Sequence, residues 1–416
     1  MIRGRWFLAY FAFALLGFAP SDRALAESLW THFAPAQPPI PQLVAAGKQV
    51  KWSRRWPMGQ QGWIEISLIA KLGEDIRPLV HGFAGSDLRS FTLRLPCHPV
   101  DSGRMRCKAQ TFIDGRATSV RFRILNQGAS DVELQSIQER FVIVEARQSE
   151  SENPLAVAAD KLLSKISSLY YRQQEVDWQT LRARSLFIAT SAPPGLDPLP
   201  HIALYVLQQL PDARHSSVIL RSRQQEHDYR LPSCTKKGRT TRLQLPVTPP
   251  EQGVEDYIRV AQICLLRATN KIELDLTDST GGDVAVLIAA VAPILPDGLL
   301  LVFKNAWAQE FPVTLSRNAV MNSGELVRPF PALRAPNLKT PVVARTSDAC
   351  ASACEMLLVA LRGRVAHVGS VTAGLTTANE LIHINEDFDL QLTAGLVMDK
   401  YRQLVTGSIF PTSLGR

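Results

Sequence analysis

The segment from residue 346 to 380 most strongly constrains how this chain can fold. It reads TSDACASACEMLLVALRGR and continues as VAHVGSVTAGLTTANE. A turn of small residues leads to Ser352, which stands at the start of an apolar helix, and a strand and a glycine-bearing turn follow. This order presents a nucleophilic side chain at a helix N-terminus. The segment therefore predicts where the chemistry of the protein takes place.

Residues 1–26 predict a secretory signal peptide. Arg3 and Arg5 precede the apolar run WFLAYFAFALLGFA, and the run is followed by Ala24-Leu25-Ala26, a cleavage signal of the A-x-A type. A membrane anchor is disfavoured because the run is shorter than the roughly 20 residues that cross a bilayer. No later stretch is long and apolar enough to span, and no cysteine follows the cleavage site to take a lipid. We therefore expect a periplasmic or secreted protein with no transmembrane segment after cleavage.

The composition predicts a globular protein without a nucleic-acid partner. Of the 416 residues, 46% are hydrophobic, which is enough for two or three domains with their own cores. The formal charge is +8, and the densest basic cluster is Lys236, Lys237, Arg239 and Arg242 in a proline-flanked segment. Nucleic-acid binding requires basic residues on one face with interleaved aromatic residues. This cluster instead predicts a solvated loop.

Six cysteines in an exported chain favour disulfides over a metal site. Cys97 and Cys107 flank a short segment between two strand-like runs, so we expect a bridge across a hairpin. Cys234 and Cys264 are a second candidate pair. A zinc site is the weaker alternative because no C-x-x-C or nearby histidine spacing supports it, and no metal is expected.

Cys350 and Cys354 are the third candidate pair, and they bracket Ser352. Residues four apart on a helix face have Cβ atoms about 5 to 6 Å apart, which is long for a disulfide. We therefore expect at least one of the two to stay reduced or to pair elsewhere, with Cys264 as a distant candidate partner.

Changes in residue pattern divide the rest of the chain into four segments. Short alternating runs from 27 to 150 predict a β sandwich or barrel of unknown role. Helical spacing from 151 to 221 includes a helix that Asp177 caps. Residues 222–253 predict a connector with one strand. Residues 254–416 predict an α/β domain, because strands alternate with helices as in a largely parallel sheet covered on both faces.

Three features in the sequence are candidates for chemistry. Ser352 and Glu355 have the spacing of a helix-capping box, but a helix N-terminus also stabilises the charge of an activated hydroxyl. The turn TDSTGGD places Gly281 and Gly282 after a strand, where their amides can face a ligand. A plain connector is the alternative, and the Gly-Lys-[Ser/Thr] element of a phosphate loop is absent. His215 is either a structural residue or a base.

Together, these elements resemble the tail-specific, or C-terminal processing, serine peptidases. In that family a strand of the type LDLRGNxGG precedes a helix, a nucleophile turn of the type TASSGE or SASASE, and a glycine turn of the type GEPTAG. The counterparts here are LDLTDSTGG (274–282), CASACE (350–355) and GSVTAG (369–374). LPDARHS (210–216) is similar to an Asp-x-His-Ser element of the family. The resemblance covers residues 155–411 and implies a crotonase-like, or Clp protease-like, α/β domain.

The resemblance implies a site that hydrolyses peptide bonds, with Ser352 as the nucleophile. It assigns the oxyanion donors to the amides of Gly281, Gly282 and Ala353, and supporting positions to Glu355, Thr372 and Gly374. It implies a peptide or protein substrate and no cofactor.

The base differs from that of the best-known members, which use a lysine just past the glycine turn. No lysine stands between Lys339 and Lys400, and Leu375 occupies the equivalent place. The tricorn-like branch of the superfamily pairs its serine with an upstream histidine. His215 is at the matching position, although LPDARHS has one more residue between Asp and His than the family element. The resemblance therefore implies a histidine base.

Two further departures shape the prediction. Residues 217–253 are too few for the PDZ module of many relatives, since independent domains rarely have fewer than about 50 residues. Thr277 and Asp278 stand where members carry Arg and Gly. We predict an exported serine peptidase. The alternative is a catalytically silent relative that binds peptides or an envelope partner through the same cleft, and an esterase using the same serine is a third hypothesis.

Overall fold

The computed structural model describes residues 31–32, 42–56, 60–71, 76–83, 93–94, 97–101, 103–113, 117, 119–126, 132–144, 153–221, 229–268, 270–331 and 339–412. The predicted signal peptide lies outside these ranges. The chain divides into two compact units. The first is Met1–Glu150 with Phe187–His201, and the second is Ser151–Leu186 with Ile202–Arg416.

The first unit contains two antiparallel sheets. Their strands are β1 Thr31–His32, β2 Gln42–Val44, β3 Gln49–Arg55, β4 Gln61–Lys71, β5 Ile76–Phe83, β6 Leu93–Arg94, β7 His98–Asp101, β8 Arg104–Ile113, β9 Ser119–Asn126 and β10 Val132–Val144. The larger sheet has the order β1-β10-β4-β8-β6, with β2 paired to β10 and β7 to β8, and the smaller has the order β3-β9-β5. Buried residues of β4 and β9 share one core. The two sheets therefore form a sandwich, as the alternating runs predict.

Alternation along the strands builds this core. In β9, Val120, Phe122 and Ile124 are buried while the residues between them are not. The predicted hairpin bridge is confirmed, because Cys97 and Cys107 form a disulfide that ties the start of β7 to β8.

The second unit begins with helices and continues with alternating strands and helices. The helices that lie wholly or partly in it are α1 Pro154–Leu169, α2 Trp178–Thr190, α3 Leu199–Gln209, α4 Val254–Leu266, α5 Val284–Val291 and α6 Ala353–Ala360. The end of α2 and the start of α3 belong to the first unit. The predicted cap of α2 is confirmed, since the Thr180 amide donates to Asp177 Oδ1 at 3.1 Å. The described residues include no helix that is long and apolar enough to cross a membrane.

Two sheets lie in the second unit. Their strands are β11 Ser217–Leu220, β12 Ser233–Lys237, β13 Thr240–Gln244, β14 Lys271–Asp275, β15 Gly298–Asn305, β16 Glu310–Ser316, β17 Ala319–Asn322, β18 Glu325–Pro329, β19 Val342–Thr346, β20 Ala366–Gly369, β21 Thr377–His383, β22 Phe388–Asp399 and β23 Leu404–Val405. The five-stranded sheet has the order β12-β13-β14-β19-β20, and its last four strands are parallel. The eight-stranded sheet is antiparallel, with the order β11-β22-β15-β16-β17-β18 and with β21 and β23 paired to β22. The predicted α/β class with an N-terminal all-β part is confirmed.

The predicted parallel sheet is only partly right. Strand β15 joins the antiparallel sheet, because it pairs with β16 and β22. One face of the parallel sheet is polar, where Arg345 Nε lies 3.0 Å from Glu273 Oε1 and Arg242 Nη2 lies 2.6 Å from Asp275 Oδ2. The expected apolar cover therefore holds for one face of these strands.

The basic cluster is a β-hairpin rather than a loop. Lys236 and Lys237 lie on β12, and Arg242 lies on β13. The candidate pair Cys234 and Cys264 forms a disulfide that ties this hairpin to α4. The second half of the predicted connector thus supplies two strands of the sheet.

The parallel strands bring two turns to one edge of the sheet. β14 and β19 are neighbours in register, with Leu274 opposite Ala344 and Asp275 opposite Arg345. The turn after β14 leads to α5, whose residues are almost all buried, and the turn after β19 leads to α6. The carboxyl edge of parallel strands is where ligands bind in α/β sheets.

Candidate active site

The glycine turn after β14 lies directly against the turn that carries Ser352. Gly281 has a φ of +112°, and a Cβ there would lie 2.8 Å from the Ala351 carbonyl oxygen and 3.0 Å from Ser352 Cβ. Contacts this short exclude any side chain, and the positive φ also favours glycine. Gly281 thus allows the two turns to approach each other.

The next residue, Gly282, is equally constrained. Its φ is +108°, and a Cβ would collide with Thr248 Oγ1. Thr248 Oγ1 accepts the Asp283 amide at 2.8 Å, and Asp283 caps α5 by accepting the Ala285 amide at 2.7 Å. Within the part of the chain that the structure describes, the amides of Gly281, Gly282 and Ala353 have no acceptor. Of these three residues, Gly282 lines the cavity described below, and Gly281 and Ala353 do not.

Ser352 has an unusual backbone conformation at the start of α6. Its φ is +56° and its ψ is −121°, so it lies in a region that non-glycine residues rarely adopt. Such a conformation costs on the order of 1–3 kcal/mol and persists only where surrounding contacts fix it. A sharp strand-to-helix turn of this kind presents a nucleophilic side chain to solvent.

The expectation that Cys350 or Cys354 pairs elsewhere is wrong. The two form a disulfide with Cα atoms 5.4 Å apart, inside the usual range for such bonds. The helix-face argument fails because α6 begins only at Ala353, so Cys350 lies in the turn before the helix. Ser352, with its positive φ, is the central residue of the loop that this bond closes.

Glu355 joins the nucleophile turn to the second glycine turn. Its side chain is fully buried, and Oε1 accepts the Thr372 hydroxyl at 2.5 Å and the Gly374 amide at 2.8 Å. Oε2 accepts the Leu375 amide at 2.7 Å and the Ser352 amide at 3.2 Å. Four donors therefore satisfy this buried carboxylate, and they fix both turns relative to each other.

His215 lies just before β11 and faces the site from the antiparallel sheet. Its Nδ1 is 2.8 Å from Thr377 Oγ1. Its carbonyl oxygen accepts the side-chain amides of Asn379 at 3.2 Å and Gln391 at 3.1 Å. Burial lowers the pKa of His215 below its usual value, and a backbone hydrogen bond with Thr377 partly opposes this. A neutral imidazole is thereby favoured.

Ser352 and His215 line the same cavity, which has a volume of about 1080 Å³. Its walls come from the glycine turn after β14, from the turn that carries Ser352 and from strands of the antiparallel sheet. Lys304 also lines the cavity, and Trp307, Leu326 and Leu381 contribute exposed apolar side chains. The cavity therefore combines the candidate catalytic groups with apolar surface.

Sequence reasoning missed the groups that the antiparallel sheet contributes. Thr377 follows the glycine turn by only three residues, yet no motif marks it as the partner of His215. Lys304 and Trp307 are distant in sequence from every motif. The pairing of β15 with β22 brings Lys304 to the cavity, and Trp307 lies just after β15.

No group of three or more His, Cys, Asp or Glu side chains that can hold a metal ion is found among the described residues.

Residues 254–410 match the family model described as Peptidase family S41. This match covers the two glycine-bearing turns and Ser352. The C-terminal part of the chain is therefore similar to Peptidase family S41, and the resemblance to tail-specific peptidases is confirmed.

The proteins to which this chain is similar include a nisin-resistance protein and a lipoprotein. The nisin-resistance protein of Lactococcus lactis subsp. lactis is 25% identical over 189 residues, which are 44% of this chain and 58% of that protein. A solved structure of a lipoprotein from Streptococcus agalactiae is 21% identical with a TM-score of 0.53, over 62% of this chain and 92% of that chain. The first match spans little more than half the relative's length, and the second shows the shared fold.

Proposed function

We propose that the protein is a serine peptidase in which His215 deprotonates Ser352. The observation that carries this proposal is that Ser352, held at a positive φ at the start of α6, lines one cavity with His215. The match of residues 254–410 to Peptidase family S41 supports peptide-bond hydrolysis as the reaction class.

The hydrogen bond between His215 and Thr377 determines which ring nitrogen of His215 can act as the base. The Nδ1 atom of His215 is occupied by Thr377, so Nε2 is the nitrogen that can take the serine proton. Ser352 Oγ then attacks the carbonyl carbon of the scissile peptide bond, and the protonated His215 gives the proton to the leaving amine. Water hydrolyses the resulting acyl-enzyme with His215 again as the base.

The oxyanion of the tetrahedral intermediate needs donors that already point at it. We assign this role to the amides of Gly281, Gly282 and Ala353. Their support is the contact of Gly281 with Ser352 and the position of Ala353 as the first residue of α6, where the helix dipole stabilises negative charge.

The substrate that fits the cavity is a peptide with apolar side chains. A volume of about 1080 Å³ is at the upper limit of small-molecule sites, and exposed apolar residues such as Trp307 line it. A peptide segment fills such a cavity better than a small ester, which favours the peptidase over the esterase hypothesis.

We propose that the protein acts in the periplasm or outside the cell. Three disulfides support this location, because such bonds persist in oxidising compartments. The proposed peptidase domain is 254–416, preceded by the helical segment 151–221 and the connector 222–253. The β-rich domain 27–150 has no assigned chemistry.

A fluorophosphonate probe tests the proposal, because it reacts covalently with an activated serine. We expect labelling of the wild-type protein at Ser352 and none of the Ser352→Ala variant, with an unchanged circular dichroism spectrum. Labelling that survives the substitution would identify a different nucleophile. A folded wild-type protein that is not labelled would instead support the silent, peptide-binding relative, for which the absence of a family lysine is the motivating observation.

A further inference from the structure

The nucleophile is enclosed by a covalent ring. Cys350 and Cys354 form a disulfide, and Ser352 is the central residue of the five-residue loop that the bond closes. Both cysteines are fully buried in the core of the second unit. The bridge therefore acts on the backbone of the residue that the proposed mechanism requires to be in a strained conformation.

The loop has few other restraints on its N-terminal side. The Cys350 amide donates to the Ser347 carbonyl oxygen at 3.1 Å, and the Ala373 amide donates to the Cys350 carbonyl oxygen at 2.9 Å. On the C-terminal side, Glu355 binds the Ser352 amide. The disulfide is the covalent link between these two sides, and it opposes relaxation of Ser352 to an ordinary negative φ.

The same ring is coupled to the second glycine turn. Ala373 bonds Cys350, while the neighbouring Gly374 amide bonds Glu355 at 2.8 Å. A displacement of Cys350 would therefore move the glycine turn together with Ser352. The bridge fixes the geometry of the nucleophile and its surroundings as one body.

We propose that Cys350 and Cys354 are positioning residues, and that their disulfide makes the site competent only in an oxidising compartment. The proposal rests on the proposed peptidase function. Bridge formation removes two protons and two electrons from the two thiols, and a disulfide oxidant accepts them and leaves as two thiols. Because thiols are kept reduced in the cytosol, the site remains incompetent until export.

The burial of both cysteines determines whether this disulfide is a reversible redox switch or a single activation step. A reductant does not reach a disulfide inside the folded core, so the bond forms as the chain folds and then stays closed. It is a single activation step that accompanies folding after export, and it differs from a reversible switch at the surface.

The test compares two double variants with the wild-type protein. Cys350→Ser with Cys354→Ser removes the bridge, and Cys234→Ser with Cys264→Ser removes a disulfide of the same unit that does not line the cavity. Saturation kinetics of fluorophosphonate labelling separate probe affinity from the rate of the covalent step. Hydrogen exchange of the peptides that cover 350–360 and 370–376 reports the two turns without any need for activity.

We expect the first variant to lose on the order of a hundredfold in the covalent step, as when a reacting group moves by about 1 Å. Its probe affinity stays unchanged, exchange in both turns becomes faster, and the control variant behaves as the wild type in these measurements. Wild-type labelling kinetics in the first variant would overturn the proposal. If the wild type is not labelled, the proposed function fails, and exchange alone decides whether the bridge fixes the turns.

A folding control completes the test. Cys350→Ala with Cys354→Ala removes the same bond and keeps the site apolar. If both variants without the bridge fail to fold, the disulfide stabilises the whole domain rather than the position of Ser352, and the proposal is wrong. A folded variant whose exchange rates equal those of the wild type also overturns it.

Discussion

The two units of the protein bury carboxylates in different ways. In the first unit, Glu65 is 2% exposed and has cationic partners, since Arg140 Nη2 lies 2.8 Å and Lys108 Nζ 3.5 Å from Oε1. In the second unit, Glu355 is bound by backbone amides and the hydroxyl of Thr372. Among the described residues, no cation forms an ion pair with Glu355.

The two buried carboxylates therefore have different roles, because one stabilises the fold and the other positions the candidate site. In a buried ion pair the two charges neutralise each other, so the loss of one partner lowers the stability of the fold. A carboxylate that binds amides from two turns fixes the geometry of those turns, and here one of them carries Ser352, which lines a cavity with His215. We therefore expect substitutions in the two units to affect different measurements.

The largest expected effect comes from removing the base. His215→Ala should lower kcat/KM by roughly 10²- to 10⁴-fold, the usual contribution of general acid–base catalysis. The matched control is Lys304→Met, which removes the lysine of the same cavity and should leave kcat within a few-fold of the wild type. Steady-state hydrolysis of a library peptide that the wild type cleaves measures kcat/KM for both variants. The reverse pattern would make Lys304 the base.

Replacing the buried carboxylate of the second unit should have the next largest effect. In Glu355→Gln, the side-chain NH₂ cannot accept the donors that now bind the carboxylate, so one turn loses its anchor. We expect a loss of about 2 kcal/mol in unfolding free energy and a decrease in kcat with little change in KM. Denaturant unfolding and steady-state kinetics measure the two effects. A variant that loses stability but keeps kcat would show that Glu355 does not position the turns.

The corresponding change in the first unit should affect stability alone. Glu65→Gln removes the negative charge that lies 2.8 Å from Arg140, and because Arg140 is partly exposed we expect a loss of about 2 kcal/mol, below the range for fully buried pairs. The kcat of peptide hydrolysis should equal that of the wild type. A marked fall in kcat would remove the distinction between the two units.

The exposed apolar surface of the cavity should contribute to binding. Trp307 is 64% exposed and lines the cavity, whereas Tyr401 is 67% exposed and does not. Trp307→Ala should raise KM by about tenfold, or 1.4 kcal/mol, without a change in kcat, and Tyr401→Ala should change neither. Equal effects of the two substitutions would argue against substrate contact at Trp307.

The smallest expected effect is a shift of the pH profile. The base must be neutral to accept a proton, and burial lowers the pKa of His215. The protein therefore keeps the active form to more acidic pH than an unperturbed imidazole would, and the acidic limb of kcat/KM should lie below pH 6.5. An inflection above 6.5 in the wild-type profile is the result that contradicts this.

Local signals in the sequence predicted a large part of the fold. Asp177 was identifiable as a helix cap because its side chain bonds amides only three residues away. The start of α6 after Ser352 was predictable for the same reason. Cys97 and Cys107 were predictable as a pair because a short hairpin brings its two strands together. The order of the motifs also indicated the resemblance to tail-specific peptidases and the α/β class.

Pairing between strands that are far apart in sequence decided the features that these local signals left open. The run at β15 has the composition of a buried strand, which suits a parallel or an antiparallel sheet, and only its pairing with β22 settled the choice. The same pairing places Lys304 in the cavity. Thr377 meets His215 because β21 and β11 both pair with β22, a relation that no local pattern contains.

Ser352 shows the division most clearly. The sequence by itself determined that a serine begins a helix after a turn of small residues, because capping and turn preferences act within a few residues. Its positive φ was decided by the tertiary structure, through contact with Gly281 and the bond from Glu355. The disulfide between Cys350 and Cys354 closes the loop around this residue. A strained conformation persists only where distant groups fix it, so it lies beyond the reach of local sequence preferences.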